Sequence, residues 1–390
     1  MYKQLYFDYN STTPCDKKVV DAMLPFFNED FGNASSSHHP YGWLSKSAVE
    51  DATTSLAKNL GVTATSIVYT SGATEGINMV LKGVARKMQN KGKHIITTQV
   101  EHKAVLDTCA FLEEDGFEVT YLKVNSKGLI SIDELREMLR PDTILVSILY
   151  ANNETGCIQP LQEIAKLTHQ NKSLLFSDTT QALGKIDVTN VLNQVDFACF
   201  SAHKVYGPKG IGLVYIKDNE YQNNLPSFIH GGGQQKKQRG GTVNTPLIVG
   251  FAKSVELVYV NLQEESRRLV YLRDKLEAGL LKIELAISNT NTLERLPNTV
   301  HISFPFVDGA NLLNALSGQI AVSNGSACNS AAVEPSHVLT AMGVDRSLAF
   351  ASLRLSMGRF TSENDVKNAI EIISKEVNKQ RETNILWERR

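Results

Sequence analysis

Cysteine is scarce in this 390-residue chain: five residues, Cys15, Cys109, Cys157, Cys199 and Cys328, are spread over its length with no Cys-x-x-Cys pair. An odd, scattered set excludes a disulfide framework and a structural zinc site. Charge of one sign is also lacking. Forty Lys and Arg against 41 Asp and Glu leave no whole-molecule field for gathering nucleic acid or an anionic membrane, so no direct nucleic-acid binding is expected. No apolar stretch approaches the ~20 residues of a membrane span, and the chain opens on Met1-Tyr2-Lys3-Gln4 without the apolar core of a signal peptide. The expectation is a cytoplasmic chain with no membrane partner, whose function sits in a local site.

What is present is a large core and an alternating pattern. The length is roughly two to three times that of a typical domain, which suits one large α/β domain and a smaller one. Short β-branched or apolar runs at 66–70, 94–97, 117–122, 143–149, 173–177, 195–200 and 211–216 alternate with helical spacing. That alternation predicts an α/β fold with a mostly parallel seven-stranded sheet covered by helices. Residues 246–285 predict one long connecting helix. Beyond Pro297 a second α/β pattern follows, with strands at 299–304 and 352–357, helices at 308–316 and 362–382, and a run of small residues at 323–334. The expected domains are 16–260 for the large one, and 1–15 with 261–390 for the small one, which carries the loop 323–334.

Ligands of parallel α/β sheets bind beyond the carboxyl ends of the strands, and the polar residues gather there. Ser71-Gly-Ala-Thr-Glu-Gly76 opens a helix after a strand, where small residues and free N–H groups suit a phosphate; an ordinary capped turn has the same look. Asp178 ends one strand, and Ser201-Ala-His-Lys204 ends the next. Lys204 reads either as a solvated cation or as a desolvated amine able to form a Schiff base with a carbonyl cofactor. Together Asp178, Lys204 and the Ser71 turn offer the acid, the amine and the phosphate cup that pyridoxal phosphate requires. His102 would stack on its ring and exchange protons, or simply cap a helix. Arg354 lies in a strand of alternating apolar residues, where it clamps a substrate carboxylate or pairs with an acid of the protein.

The cysteines divide on the same grounds. Cys109 falls on an apolar helix face and Cys199 inside an apolar strand, so both read as core; nothing beside Cys15 or Cys157 activates them. Cys328 sits among small and polar residues in Ser323-Asn-Gly-Ser-Ala-Cys328-Asn-Ser-Ala-Ala-Val-Glu-Pro335, an accessible setting that suits a nucleophile.

Taken together these motifs resemble the cysteine desulfurases of the NifS/IscS type, pyridoxal-phosphate enzymes of the class V aminotransferase group. The resemblance runs through Gly32-Asn33-Ala-Ser35, Thr70-Ser-Gly-Ala-Thr-Glu75, Glu101-His-Lys-Ala-Val105, Asn152-Asn-Glu-Thr-Gly156, Asp178-Thr-Thr-Gln181, Ser201-Ala-His-Lys204, Gly207-Pro-Lys-Gly-Ile-Gly212, Arg239-Gly-Gly-Thr242 and Gly325-Ser-Ala-Cys328. It implies fold type I of the pyridoxal-phosphate enzymes and a role for each matching residue. Lys204 holds the cofactor and moves the α-proton, Asp178 and Gln181 bond the ring, and His102 stacks on it. Ala73, Thr74, Ser201 and His203 bind the phosphate, with Thr242 reaching in from the partner of a homodimer. Asn33, Asn153 and Arg354 orient L-cysteine, and Cys328 takes its sulfur as a persulfide for acceptor proteins in iron–sulfur assembly or tRNA thiolation. The resemblance implies no resident metal, with Cys328 at most a transient ligand of a scaffold's iron–sulfur cluster. The long loop around Cys328 resembles the scaffold-serving subgroup, although Trp387-Glu-Arg-Arg390 lacks the tail that some relatives use for docking. The neighbouring alternatives are another class V enzyme, a selenocysteine lyase or aminotransferase, which needs no cysteine, and a non-catalytic sulfur-relay protein.

Overall fold

The computed structural model describes residues 4–217, 224–290, 292, 294–324 and 335–388; Cys328 and its neighbours at 325–334 lie outside the described residues. After a short β1 (Leu5–Tyr6), the large sheet comprises β2 (Ile67–Thr70), β3 (His94–Thr98), β4 (Glu118–Leu122), β5 (Thr143–Ser147), β6 (Leu174–Asp178), β7 (Phe197–Ser201) and β8 (Gly212–Ile216). Its order is β2-β8-β7-β6-β5-β3-β4. All neighbours are parallel except where β8 runs antiparallel to β2 and β7. Each predicted strand is found.

The inner strands are almost wholly buried because both faces are covered, whereas the edge strand β4 buries only Leu122. Successive residues alternate between two cores, as a period of two requires. Ile96, Val146, Leu175 and Phe200 pack in one core with Leu56, Leu60 and Phe251. Ile95, Leu145, Phe176 and Phe197 pack in the other with Val80, Leu81, Val84 and Cys109. The first layer includes the helix Pro40–Leu60, which the periodicity reading did not identify. Proline at its first turn, a His39 Nδ1 that accepts the Gly42 N–H at 3.2 Å, and Gly61 at φ 68° mark its two ends.

The second unit is built on β9 (Ile287–Ser288), β10 (Thr299–Ser303) and β12 (Ser352–Ser356), an antiparallel sheet of order β12-β10-β9. The helices Leu262–Leu280 and Glu363–Glu382 supply Leu272, Leu276, Val366 and Ile373 to its core, together with Phe7 from the amino terminus. β1 pairs in parallel with β11 (Ile320–Ala321), so residues 5–7 belong to this unit. The single helix expected over 246–285 is corrected to two, Thr245–Tyr259 and Leu262–Leu280, bent by 71°. The cause is burial on two different cores: Ile248, Phe251 and Val255 pack on the large sheet, whereas Leu269, Leu272 and Leu276 pack on the small one. One straight helix cannot face both. No single helix among the described residues is long and apolar enough to cross a membrane.

His301 is fully buried in β10, opposite Arg354, with Nδ1 3.0 Å from Asn289 Nδ2. Burial and then the Arg354 cation push its pKa down to about 3. The unfolded chain takes up a proton at this histidine below about pH 6.5, whereas the folded chain does not until about pH 3. Across that window the unfolded state binds more protons, so stability falls with falling pH. His301→Gln is expected to lose less stability than the wild type between pH 6.5 and 4, by up to about 1 kcal/mol per pH unit; parallel acid limbs in calorimetry would contradict this.

Candidate active site

A cavity of about 500 Å³ lies beyond the carboxyl ends of the central strands, where the side chains following β2, β3, β5, β6 and β7 meet. On one wall begins the helix Ala73–Met88. Its cap is Gly72, so no side chain bonds the first-turn N–H groups, which leaves them and the positive end of the helix to an anion. Ala73, Thr74, Ser201 and His203 line this wall. The one acid of the first turn, Glu75, is occupied elsewhere: it accepts the Ser71 N–H at 2.7 Å and pairs with Arg239 Nε at 2.9 Å. Burial opposes its charge, but these bonds hold its carboxyl below the usual range. Gly76 lets the helix start lie directly on the sheet, since a Cβ there would be 2.8 Å from Val214 Cγ2 and 3.3 Å from Cys199 Cβ.

The opposite wall carries the ionisable groups. Lys204 follows β7 in one tight turn, Ala202–Lys204, and its Nζ donates to the carbonyls of Asn10 at 2.7 Å and Ser11 at 2.6 Å. Asp178 ends β6, with Oδ1 accepting from Thr180 N at 3.0 Å and from the Cys199 thiol at 3.5 Å. His102 has the capping role foreseen and also faces the cavity. Its Nδ1 caps the helix Lys103–Glu114 by accepting the Ala104 N–H at 3.1 Å, and the ring lines the cavity. Burial lowers its pKa, Lys204 adds to this and Asp178 opposes it, so the ring is neutral with its proton on Nε2. His203 is likewise kept neutral, its pKa pushed to about 4 by burial and then by Lys204 and Lys209.

Arg354 reaches the cavity from β12 with Asn153 beside it. Its guanidinium pairs with Asp8 at 2.8 Å and donates to the Asn153 carbonyl at 3.2 Å, while its buried Nε has no partner. Gln181 and Lys204 converge on Asn10. Fully buried, Asn10 accepts at its carbonyl from both, and its side chain bonds Thr299 Oγ1, the Asn153 carbonyl and Asn298 Nδ2. Two of the expected residues stay apart. Asn33 is exposed in the loop before Pro40, and Thr242 is exposed beside a separate cavity of about 150 Å³ near Tyr69 and Ser71. Cys328 falls outside the described residues.

The sequence reading missed Asn10, Thr180, Lys185 and Glu101. Glu101 stands next to His102 and is fully buried, with Oε1 held by the Leu149 N–H at 2.8 Å and the Thr98 hydroxyl at 3.2 Å. Burial raises its pKa well above the carboxylate range, so it is a neutral acid. Glu101 lies in the run Glu101-His-Lys-Ala-Val105 and Thr180 in Asp178-Thr-Thr-Gln181, so their positions were visible there, but burial decides the character of Glu101 and Lys185. The four described cysteines are poor nucleophiles. Burial pushes Cys109 and Cys157 up to about 12, Cys199 rises through burial and Asp178, and Cys15 rises through burial and Asp16.

The family model for the class-V aminotransferases matches residues 5–369. The chain belongs to the class-V aminotransferase family. Among similar family members, cysteine desulfurase IscS of Anaeromyxobacter sp. (strain Fw109-5) is 44% identical over 385 residues, 98% of this chain and 95% of the relative. IscS of Methanosarcina thermophila is 44% identical over 380 residues, 97% and 93% of the two chains. A solved NifS-like protein superposes with a TM-score of 0.89 at 39% identity, covering 96% and 99%. A solved SspA in complex with cysteine gives 0.80 at 35% identity, covering 92% and 100%. The shared architecture is fold type I of the pyridoxal-phosphate enzymes.

Gly76→Ala is expected to destabilise the family's helix-start turn by about 1–3 kcal/mol through overpacking against Val214 and Cys199. A wild-type midpoint in urea unfolding would show that the helix start yields freely.

Proposed function

We propose that this chain is a cysteine desulfurase: it converts L-cysteine to L-alanine and carries the sulfur as a persulfide on Cys328. The observation that carries the reading is the convergence of Lys204, Asp178, His102 and Arg354 on one cavity beside an uncapped helix start, in a chain 44% identical to named desulfurases over nearly its full length. The residues fit pyridoxal phosphate. The side-chain-free cap at Gly72 suits its phosphate, with Ala73, Thr74, Ser201 and His203 around it. Asp178 suits the ring nitrogen as a carboxylate, and Gln181 suits the ring oxygen. When bound, the cofactor supplies an electron sink that makes the substrate's Cα–H acidic and its sulfur open to attack.

The protein's own groups then divide the work. Lys204 anchors the cofactor through its amine and moves the proton at Cα. Neutral His102 stacks over the ring, with Nε2–H available for proton exchange. Arg354 and Asn153, with Asn33, take the substrate carboxylate; Asp8 competes for Arg354 at 2.8 Å, so binding exchanges one carboxylate for another. The Cys328 thiolate bonds to the substrate sulfur as the sulfur–Cβ bond breaks, and a proton delivered to Cβ and another returned to Cα complete alanine. Sulfur, two electrons and protons balance without an external oxidant.

The same reading includes a homodimer, cytoplasmic location and transfer of sulfur to proteins of iron–sulfur assembly or tRNA thiolation. Thr242 and Asn33 lie outside their own chain's cavity, which supports contribution from a second copy. Exposed Phe27, Phe31, Tyr41, Trp43 and Leu44 share the segment that holds Asn33, as an interacting surface would. The four described cysteines are all unpaired thiols, and a persulfide relay needs a reducing compartment. We also propose the domain boundary at the bend near 260, with residues 1–15 in the smaller unit.

Cys328→Ser is expected to abolish sulfide release from L-cysteine while the visible absorbance of the bound cofactor persists. Unchanged turnover would instead support a lyase or aminotransferase that uses Lys204 without the thiol. A colourless wild type that yields no borohydride adduct at Lys204 would favour a non-catalytic relay protein.

A further inference from the structure

Lys185 is a buried lysine, 7% exposed, with no carboxylate paired to it among the described residues. It lies on the turn after β6, between the cavity described above and a second cavity of about 420 Å³ that Lys185 and Lys204 both line. The acids of that second cavity are committed elsewhere, Asp16 to Arg359 at 2.7 Å and Glu265 to Arg268 at 2.8 Å. Lys185 is instead bonded entirely to one residue. Its Nζ donates to the Gln181 carbonyl at 3.0 Å and to Gln181 Oε1 at 2.8 Å.

Those bonds determine which way the Gln181 amide faces. As an ammonium Lys185 can only donate, and the Asn10 carbonyl can only accept, so the amide oxygen turns toward Lys185 and the amide nitrogen toward Asn10. Gln181 Nε2 is then left on the cavity side, where it donates to the Asn10 carbonyl at 2.9 Å and retains a second N–H. We propose that Lys185 is a positioning residue, which holds Gln181 with its N–H donors toward the cavity so that the amide bonds the ring oxygen of the cofactor. This rests on the pyridoxal-phosphate reading of the site. With Lys185 absent, the amide oxygen would lose its lysine donor and the amide would no longer be held with its nitrogen toward the ring.

The hold survives a change of charge. Burial, followed by Lys204 and Arg354, pushes the Lys185 pKa down to about 7. A neutral amine still has two N–H groups for the two Gln181 oxygens.

The test uses the cofactor-loaded enzyme and follows release of pyridoxal phosphate on dilution, together with the visible spectrum of the bound form. Lys185→Met is expected to weaken retention about tenfold, the effect of one charge-assisted hydrogen bond, and to shift the absorbance band. Lys185→Arg, which keeps the donors and has the second cavity for room, is expected to restore both. In Gln181→Ala, adding Lys185→Met is expected to change neither further. Wild-type retention and spectrum in Lys185→Met would overturn the inference, as would full additivity of the two substitutions. A wild type that takes up no pyridoxal phosphate would overturn the underlying site reading and this inference with it.

Discussion

The carbonyl of Asn10 is the point on which the site turns. Two donors from the large sheet's edge, Lys204 Nζ and Gln181 Nε2, meet on that one oxygen. The same residue's side chain is bonded to Thr299 and Asn298 of the smaller unit, and its N–H donates to Ser356 Oγ at 2.9 Å. A buried backbone carbonyl must be paired, and here the pairing is with the Lys204 amine and the Gln181 amide. Because β1 and Phe7 are packed into the smaller unit, the amino-terminal segment ties the two units together at Lys204. Displacing either unit breaks bonds to both donors at once, which gives the cavity walls a common register.

Around this point, charge is distributed so that few groups compete with a ligand. Glu75, the acid nearest the helix start, is tied to Arg239 and the Ser71 N–H. Glu101 is neutralised by burial, and both His102 and His203 are held in their neutral forms. Of the cations at the site, Arg354 is paired with Asp8 and Lys204 donates to the Asn10 and Ser11 carbonyls, near the uncapped N–H groups of the helix start. Cys199 donates to Asp178 from inside β7, so a residue that reads as plain core also bonds the acid at the end of β6. Its thiol stays protonated for the same reason that it is buried.

The seven strands of the large sheet were legible as β-branched and apolar runs because all but the edge strand β4 are buried, and runs of that length have few other uses. The helix Pro40–Leu60 was not legible: its buried stripe of Ala52, Leu56 and Leu60 is diluted by Ser, Thr and Lys, and packing against the helix Thr245–Tyr259 supplies what periodicity lacks. The break at residues 260–261 was hidden for the opposite reason. Apolar spacing continues across it, yet the two halves serve different cores. Lys204, Asp178, His102 and Arg354 could be read from strand-end motifs, whereas Asn10, Glu101 and Lys185 acquire their properties only from the groups that fold around them.

The sequence by itself determined the strand-end chemistry, because residue type and order along an α/β chain dictate which side chains emerge beyond the sheet. It also singled out Cys328, by setting it among small, polar neighbours. Only the tertiary structure decided which charges are present and which way the polar groups face. Burial turned Glu101 into a neutral acid and brought Lys185 near neutrality, and contacts between residues nearly 200 positions apart joined Lys204 to Asn10. A pKa or an amide orientation depends on what surrounds the group, and those surroundings come from distant parts of the chain.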